Sequence, residues 1–313
     1  METPELNVVT GAFSYTGKYI TRRLLARGRQ VRTLTGHPER PNPFGEQVSV
    51  ARYDFDRPEE LANSLRGATT LINTYWVRFS HGGVTFDQAV ENSQILIRAA
   101  ERAGVRRIVH VSITNPSASS SLPYFRGKAQ IESTIRESGL PYAILRPAVI
   151  FGPEDILINN IAWFLRKFPA FGVPGAGDYQ LQPIFVEDMA ELVVNAAEQS
   201  DHFIADAVGP EIFTFEELVR LIAKTIGSSA KIVHVAPALA LLCCRLSGIV
   251  VRDVVLTREE IQGLMANLLV ADGPALGKTR MSEWLMQNAG RVGERYSSEL
   301  DRHFRHGERG IGQ

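Results

Sequence analysis

Residues 8–17 read VVTGAFSYTG. A β-branched apolar run stops at Gly11, and Gly17 follows at the head of a helical pattern, KYITRRLLARG. A strand, a glycine turn and a helix in that order suit a pyrophosphate, because a helix N-terminus offers unpaired amides and the positive end of its dipole. Glycine meets three separate needs in such a turn: a tight bend, close approach of backbone to phosphate, and close packing of helix on strand. Gly11 and Gly17 answer the first and third. Ser14 stands at the second, where its side chain crowds a phosphate while its hydroxyl can donate to one. Gly11, Phe13, Ser14, Tyr15, Thr16 and Gly17 are therefore the expected cradle.

Outward from this turn, short apolar runs alternate with longer amphipathic ones: QVRTLT, VSVARYDF, PEELANSLRG, TTLINTY, FDQAVENSQILIRAAERAG, RRIVHVSI, AQIESTIRESG and YAILRPAVI. Strands that are nearly all apolar, separated by helices, predict a parallel sheet covered on both faces. Right-handed crossovers make that a doubly wound α/β fold of the Rossmann type. Gly28, Gly67, Gly104 and Gly139 close successive helices, as left-handed C-cap residues do. Beyond residue 151 the pattern shifts to Pro and Gly loops and a smaller, mostly helical lobe. PIFVEDMAELVVNAAEQ reads as a strand and helix returning to the sheet. The predicted division is 1–151 plus 184–207 for dinucleotide binding and 152–183 plus 208–313 for substrate, with the ligand cleft between them.

The chain has 313 residues, 44% of them hydrophobic, enough for a sizeable core. Lys plus Arg equal Asp plus Glu at 34 each, so no net charge draws it to nucleic acid or to an anionic membrane. Cys243 and Cys244 are adjacent in an apolar run, and His303 and His306 form the only close histidine pair, so no metal site is expected. The chain opens without a signal-peptide pattern and has no apolar run near the roughly 20 residues of a membrane span, which predicts a cytoplasmic protein.

At the adenosine end, the second strand runs out in TLTGHPER, with Thr35, Gly36 and His37 where an acid would hold the ribose hydroxyls of NAD. Nothing there repels a 2′-phosphate, and His37 and Arg40 are placed to bind one. NADP is the expected cofactor, with NAD open. Asp54 in ARYDFD, beside Phe55, suits the adenine amino group or the cap of the next helix. Thr74, closing the fourth strand, completes that side.

In YFRGK, Tyr124 and Lys128 are four apart and share a helix face. An ammonium beside a phenol favours the phenolate and lowers its pKa, which suits proton exchange with a substrate oxygen. The pair follows RIVHVSITN, whose Ser112 and Thr114 bring hydroxyls to the same sheet edge. With this set of residues, the chain resembles the atypical or extended short-chain dehydrogenase/reductases along nearly its whole length. The strand-end hydroxyl, the Tyr-x-x-x-Lys pair, LRPAVIFGP and PIFVEDMAE follow in that family's order. It is most similar to the branch holding NmrA-like proteins and the Rossmann-type accessory subunit of respiratory complex I. The resemblance implies that Tyr124 moves the proton and Lys128 binds the nicotinamide ribose. It further implies that Thr114, with Ser112 as rival, orients the substrate oxygen, and that Pro147, Val149 and Ile150 line the nicotinamide pocket. Ser14 and Gly36 depart from the family pattern, the latter standing where many NADP-binding relatives carry arginine.

The function expected is NADP-dependent hydride transfer to or from a carbonyl or alcohol carbon of a small, apolar substrate. Two alternatives stay open: a nucleotide-sugar epimerase or dehydratase using bound NAD, and a noncatalytic NAD(P)-binding sensor or assembly subunit. By family analogy, the helices before Arg107 and before Tyr142 would pair across a two-fold in a homodimer. PALALLCCRLSGIVV reads first as a helix burying one face in the lobe core, and otherwise as a lid or a peripheral membrane face. TRMSEWLMQNAGRVGERYSSELDRHF, with Trp284 and Tyr296, is expected to pack back on the lobe.

Overall fold

The structure is a computed structural model, described here for residues 5–304, so that His306 lies outside the described residues. The first half alternates as its apolar runs predict: β1 (Leu6–Thr10), α1 (Tyr15–Ala26), β2 (Gln30–Thr35), β3 (Val48–Arg52), α2 (Pro58–Leu65) and β4 (Ala68–Asn73). There follow α3 (Phe86–Ala103), β5 (Arg107–Val111), α4 (Pro123–Glu137) and β6 (Tyr142–Pro147). Gly104 closes α3 with φ 70°, the left-handed cap its position suggested.

The second half is more broken. It holds β7 (Ile150–Phe151), α5 (Leu157–Lys167), β8 (Ala170–Pro174), β9 (Gln180–Leu181), β10 (Ile184–Phe185), α6 (Val186–Ala197) and β11 (Phe203–Ala207). Then come β12 (Phe213–Thr214), α7 (Phe215–Thr225), β13 (Lys231–Val235) and α8 (Pro237–Val251). The described chain ends with α9 (Arg258–Met265), α10 (Met281–Gln287) and α11 (Glu299–His303).

Seven strands form one parallel sheet in the order β11-β6-β5-β4-β1-β2-β3. The order of strand addition reverses between β1 and β4, which opens a crevice beyond their C-terminal ends. One apolar cluster packs α1 and α6 against the sheet through Ile20, Leu24, Val109, Leu145, Met189 and Val193. A second fills the opposite face under α2, α3 and α4, with Leu61, Leu71, Ile97, Ile108 and Ile131. A third, around Phe151, Leu165, Phe215, Leu218, Trp284 and Leu285, belongs to the smaller lobe. The end segment thus packs on the lobe as expected, Trp284 within it and the Tyr296 hydroxyl donating to Asp253 Oδ2 at 3.0 Å.

Two elements differ from the sequence reading. The strand expected at PIFVEDMAE is only β10, which pairs with β7 apart from the main sheet. The strand that does return is β11, paired with β6; it is an edge strand whose apolar run is cut by Asp206, so its composition hid it. No helix among the described residues is long and apolar enough to cross a membrane.

Candidate active site

A single long cleft follows the C-terminal ends of six sheet strands, from Thr10 and Gly11 after β1 to Pro147, Val149 and Ile150 after β6. Its floor is the glycine turn. Gly11 has φ 66°, a left-handed backbone that a Cβ would strain. Gly17 serves the other need, since a Cβ there would drive into the Gly11 carbonyl oxygen. Ser14 is the N-cap of α1, its Oγ accepting from the Gly17 amide at 3.4 Å. That leaves the hydroxyl hydrogen to donate elsewhere. The amides of Tyr15 and Thr16, first in the helix, have no intrahelical acceptor, and both residues line the cleft with Phe13 and Ser14. A cradle of glycines, cap hydroxyl and helix-end amides fits a pyrophosphate.

Beside it, the Thr74 hydroxyl donates to the Thr10 carbonyl at 2.6 Å, tying the ends of β4 and β1 together. His37 and Arg40 also line the cleft. His37 Nδ1 lies 3.3 Å from Glu39, and the Arg40 guanidinium donates to the Arg302 carbonyl at 3.0 Å. Gly36 has a structural reason to lack a side chain: a Cβ would stand 3.0 Å from the Tyr53 hydroxyl. Tyr53, Phe55 and Tyr75 form an aromatic group with centroids 4.9–5.6 Å apart, and all three face the cleft. Burial pushes the Tyr53 phenol up to about 12. Asp54 is turned away into an ion pair with Arg57 at 2.7 Å, and the helix cap it suggested is Arg57 instead. The Arg57 guanidinium holds the Asp54 carboxyl below the usual range.

At the other end, Tyr124 and Lys128 stand on α4 with Trp76 against both. The indole centroid is 5.6 Å from the Tyr124 ring and 4.8 Å from Lys128 Nζ. Gly127 makes room for this indole, since a Cβ would sit 2.8 Å from it. Phe86 and Phe125 enclose the phenol further, at 5.9 and 5.6 Å. Burial raises the Tyr124 pKa, the Glu260 carboxylate adding and Arg78 opposing. That is the reverse of the lowering by Lys128 that the spacing suggests: burial dominates, and the Lys128 ammonium is turned to the Val111 carbonyl. Lys128 is 3% exposed and donates to the Val111 carbonyl at 2.9 Å. Burial lowers its pKa to about 7, with Glu132 opposing.

Glu132, also buried, accepts from Ser112 Oγ at 2.6 Å and from Arg146 Nε at 2.9 Å. This network fixes α4 to the ends of β5 and β6. Ser112 lines the cleft, whereas the Thr114 hydroxyl is committed to the Leu268 carbonyl at 2.7 Å. The structure therefore gathers Tyr124, Lys128 and Ser112 and sets Thr114 against the far lobe. Tyr53, Tyr75 and Trp76 escaped the sequence reading. Tyr75 and Trp76 stand just beyond β4 in a loop whose pattern carries no period, and their position after a strand end was the one usable signal.

Residues 11–156 match a family model described as NAD(P)H-binding. That stretch, just under half of the chain, is thus similar to NAD(P)H-binding Rossmann domains. Among curated relatives, it is 26% identical to NADH dehydrogenase (ubiquinone) 1 alpha subcomplex subunit 9 of Arabidopsis thaliana, across 68% of this chain and 56% of that protein. It is 32% identical to sterol demethylase protein B of Methylococcus capsulatus, across 55% and 61%. The chain thus spans little more than half the length of these relatives. Among solved structures, an NADPH-dependent quinone oxidoreductase of Escherichia coli superposes with a TM-score of 0.73 at 20% identity, over 91% of this chain and 98% of its own. A nucleoside-diphosphate-sugar epimerase of Staphylococcus aureus gives 0.72 at 16%, over 90% and 99%. These likenesses carry the fold.

Proposed function

We propose that the protein is an NADP-dependent oxidoreductase of the atypical short-chain dehydrogenase/reductase class, acting on a carbonyl or alcohol carbon of an apolar, ring-bearing substrate. One observation carries this reading: the same cleft runs from the phosphate cradle to an aromatic basin holding Tyr124 and Lys128. A bound nicotinamide supplies or accepts the hydride. The residues do the rest. Ser14 and the first amides of α1 hold the diphosphate, His37 and Arg40 flank a 2′-phosphate, and Lys128 reaches the ribose. Tyr124, kept protonated by its burial, gives a proton to the oxygen left by reduction. Ser112, held by Glu132, orients that oxygen.

The basin argues for an apolar substrate. Trp76, Phe79, Phe86, Leu122 and Phe125 line it, and Arg78, which lines it too, is neutralised by Glu260 at 2.5 Å and Glu299 at 3.7 Å. A second diphosphate, as a nucleotide sugar carries, would find little to hold it. The quinone oxidoreductase neighbour makes quinones the first substrates to try.

A second reading has its own support. The relatives that are respiratory-complex subunits, with Lys128 donating to the Val111 carbonyl, fit a noncatalytic NAD(P)-binding subunit. NADPH consumption with a panel of quinones and aromatic ketones separates the two. Turnover by the wild type, cut ~100-fold in Tyr124→Phe with NADPH affinity kept, supports the enzyme. Tight NADPH binding without turnover on any of them supports the subunit, and equal turnover in Tyr124→Phe removes Tyr124 from the proton path.

A further inference from the structure

Helix α8 is built inside out. Its largest apolar side chains face water: Leu239, Leu242, Leu246, Ile249 and Val250 are 47–75% exposed, and Cys243 is exposed with them. At 100° per residue these positions fall within one arc of roughly 120°. The buried positions are Ala240 and Gly248, and Gly248 packs so tightly that a Cβ would stand 2.6 Å from the Asp253 carbonyl oxygen. Only small residues are fully buried, with Leu241, Cys244 and Val251 half-buried beside them, so most of the apolar bulk faces water, the opposite of the core-facing helix its composition suggests. The exposed side chains present on the order of 500 Å² of contiguous apolar surface, a size that marks a contact site.

Along the chain, the stretch that leads into and forms this helix carries charge of one sign. From Leu218 to Arg252 the sequence holds no Asp or Glu, while Arg220, Lys224, Lys231, Arg245 and Arg252 are cationic. The acids that bound the stretch are engaged: Glu216 pairs with Arg220, Glu217 caps α7, and Asp253 accepts from the Tyr296 hydroxyl and the Glu299 and Leu300 amides. Arg245, at the edge of the apolar arc, is exposed and has no ion pair among the described residues. A balanced chain has thus gathered a cationic stretch around its most apolar helix.

We propose that α8 docks on an anionic lipid surface, its apolar arc at the acyl boundary and Arg245 among the headgroups. A second copy of the chain fits less well. The arc falls short of the roughly 800 Å² per partner of a standard interface, and pairing two such faces would bring like charges together. The docking also has a consequence for the cleft. Residues 252–257 join α8 to α9, whose Glu260, Gly263 and Leu264 form part of the cleft wall. A membrane under α8 would then be linked to the cleft wall through a single helix, α9. That last step rests on the apolar-substrate reading, whereas the docking does not, since vesicle binding requires neither cofactor nor turnover.

Flotation of the whole chain with vesicles tests the proposal. The wild type should float with vesicles of equal parts phosphatidylcholine and phosphatidylglycerol, less with phosphatidylcholine alone, and less again as salt is raised. Leu242→Glu with Ile249→Glu should lower partitioning at least ~10-fold at an unchanged melting temperature, both side chains being exposed. For an independent readout, Cys243 carrying an environment-sensitive dye in a Cys244→Ser background should shift to the blue on the mixed vesicles. Wild type that stays in the soluble fraction, a double variant that floats equally, or an unmoved dye would each overturn the proposal. A wild-type dimer that the double variant dissociates would overturn it in favour of a second copy.

Discussion

Ser14 illustrates how one residue can serve two structures at once. As N-cap it stabilises α1, and its free hydrogen remains available to an anion in the cradle. Ser14→Ala removes both roles: about 1 kcal/mol of stability should go, seen as a melting point lower by about 2 °C, together with weaker NADPH binding. Ser14→Gly should cost only a few tenths of a kcal/mol, so its effect on affinity reports the hydroxyl alone. Gly17 allows no such trade. A Cβ there would meet the Gly11 carbonyl oxygen, and Gly17→Ala should lose about 3 kcal/mol in urea unfolding. Lys128 sets the pH response. With its pKa lowered to about 7 by burial, it is an ammonium below that pH and a neutral amine above it. NADPH affinity should therefore fall as pH rises through 7, while Lys128→Met binds weakly at every pH without an inflection. The stability sign is opposite: the unfolded lysine holds its proton up to about 10.4, so the cost of burying the charge is full below pH 7 and relieved as pH rises above it.

Among the elements, α11 carries an unexpected load for five residues. Asp253 anchors it, accepting from the amides of Glu299 and Leu300 at 2.9 and 3.0 Å and from the Tyr296 hydroxyl. The segment then reaches back over the cofactor side of the cleft. Arg302 lies 5.7 Å above the Tyr15 ring and donates to the Glu154 carbonyl, and Phe304 stacks on Phe79. Asp253→Ala leaves two buried amides and a half-buried hydroxyl without an acceptor and should release this segment. Amide exchange at residues 299–302 should quicken by ~10-fold or more, with exchange in the central strands unchanged. Nothing in the sequence announced this crossing, because a charged, five-residue helix has no periodicity to read. The parallel strands were legible for the converse reason: a strand buried on both faces needs an unbroken apolar run. Helix α8 was legible as a helix and misread in its facing, since composition tells that a helix is apolar and not which way it points.

At the scale of the whole molecule, the cleft exists because strand order reverses between β1 and β4, and that much could be argued from the alternation of runs alone. The cradle was legible too, because glycine spacing is a backbone requirement. The aromatic basin was not: Trp76 and Phe86 reach Tyr124 from a loop and a helix well before it in the chain, and only packing unites them. Order of assembly follows from one further detail. The sheet is closed on the β6 side by β11, which leaves the ribosome more than fifty residues after β6. Until then β6 offers a bare edge of unpaired amides and carbonyls, in the very strand whose far end carries Pro147. A nascent chain stopped before residue 203 should consequently aggregate or bind chaperones, and one extended past residue 207 and the ribosome exit should resist protease. For this protein the time spent between those two lengths during synthesis is the interval of greatest hazard.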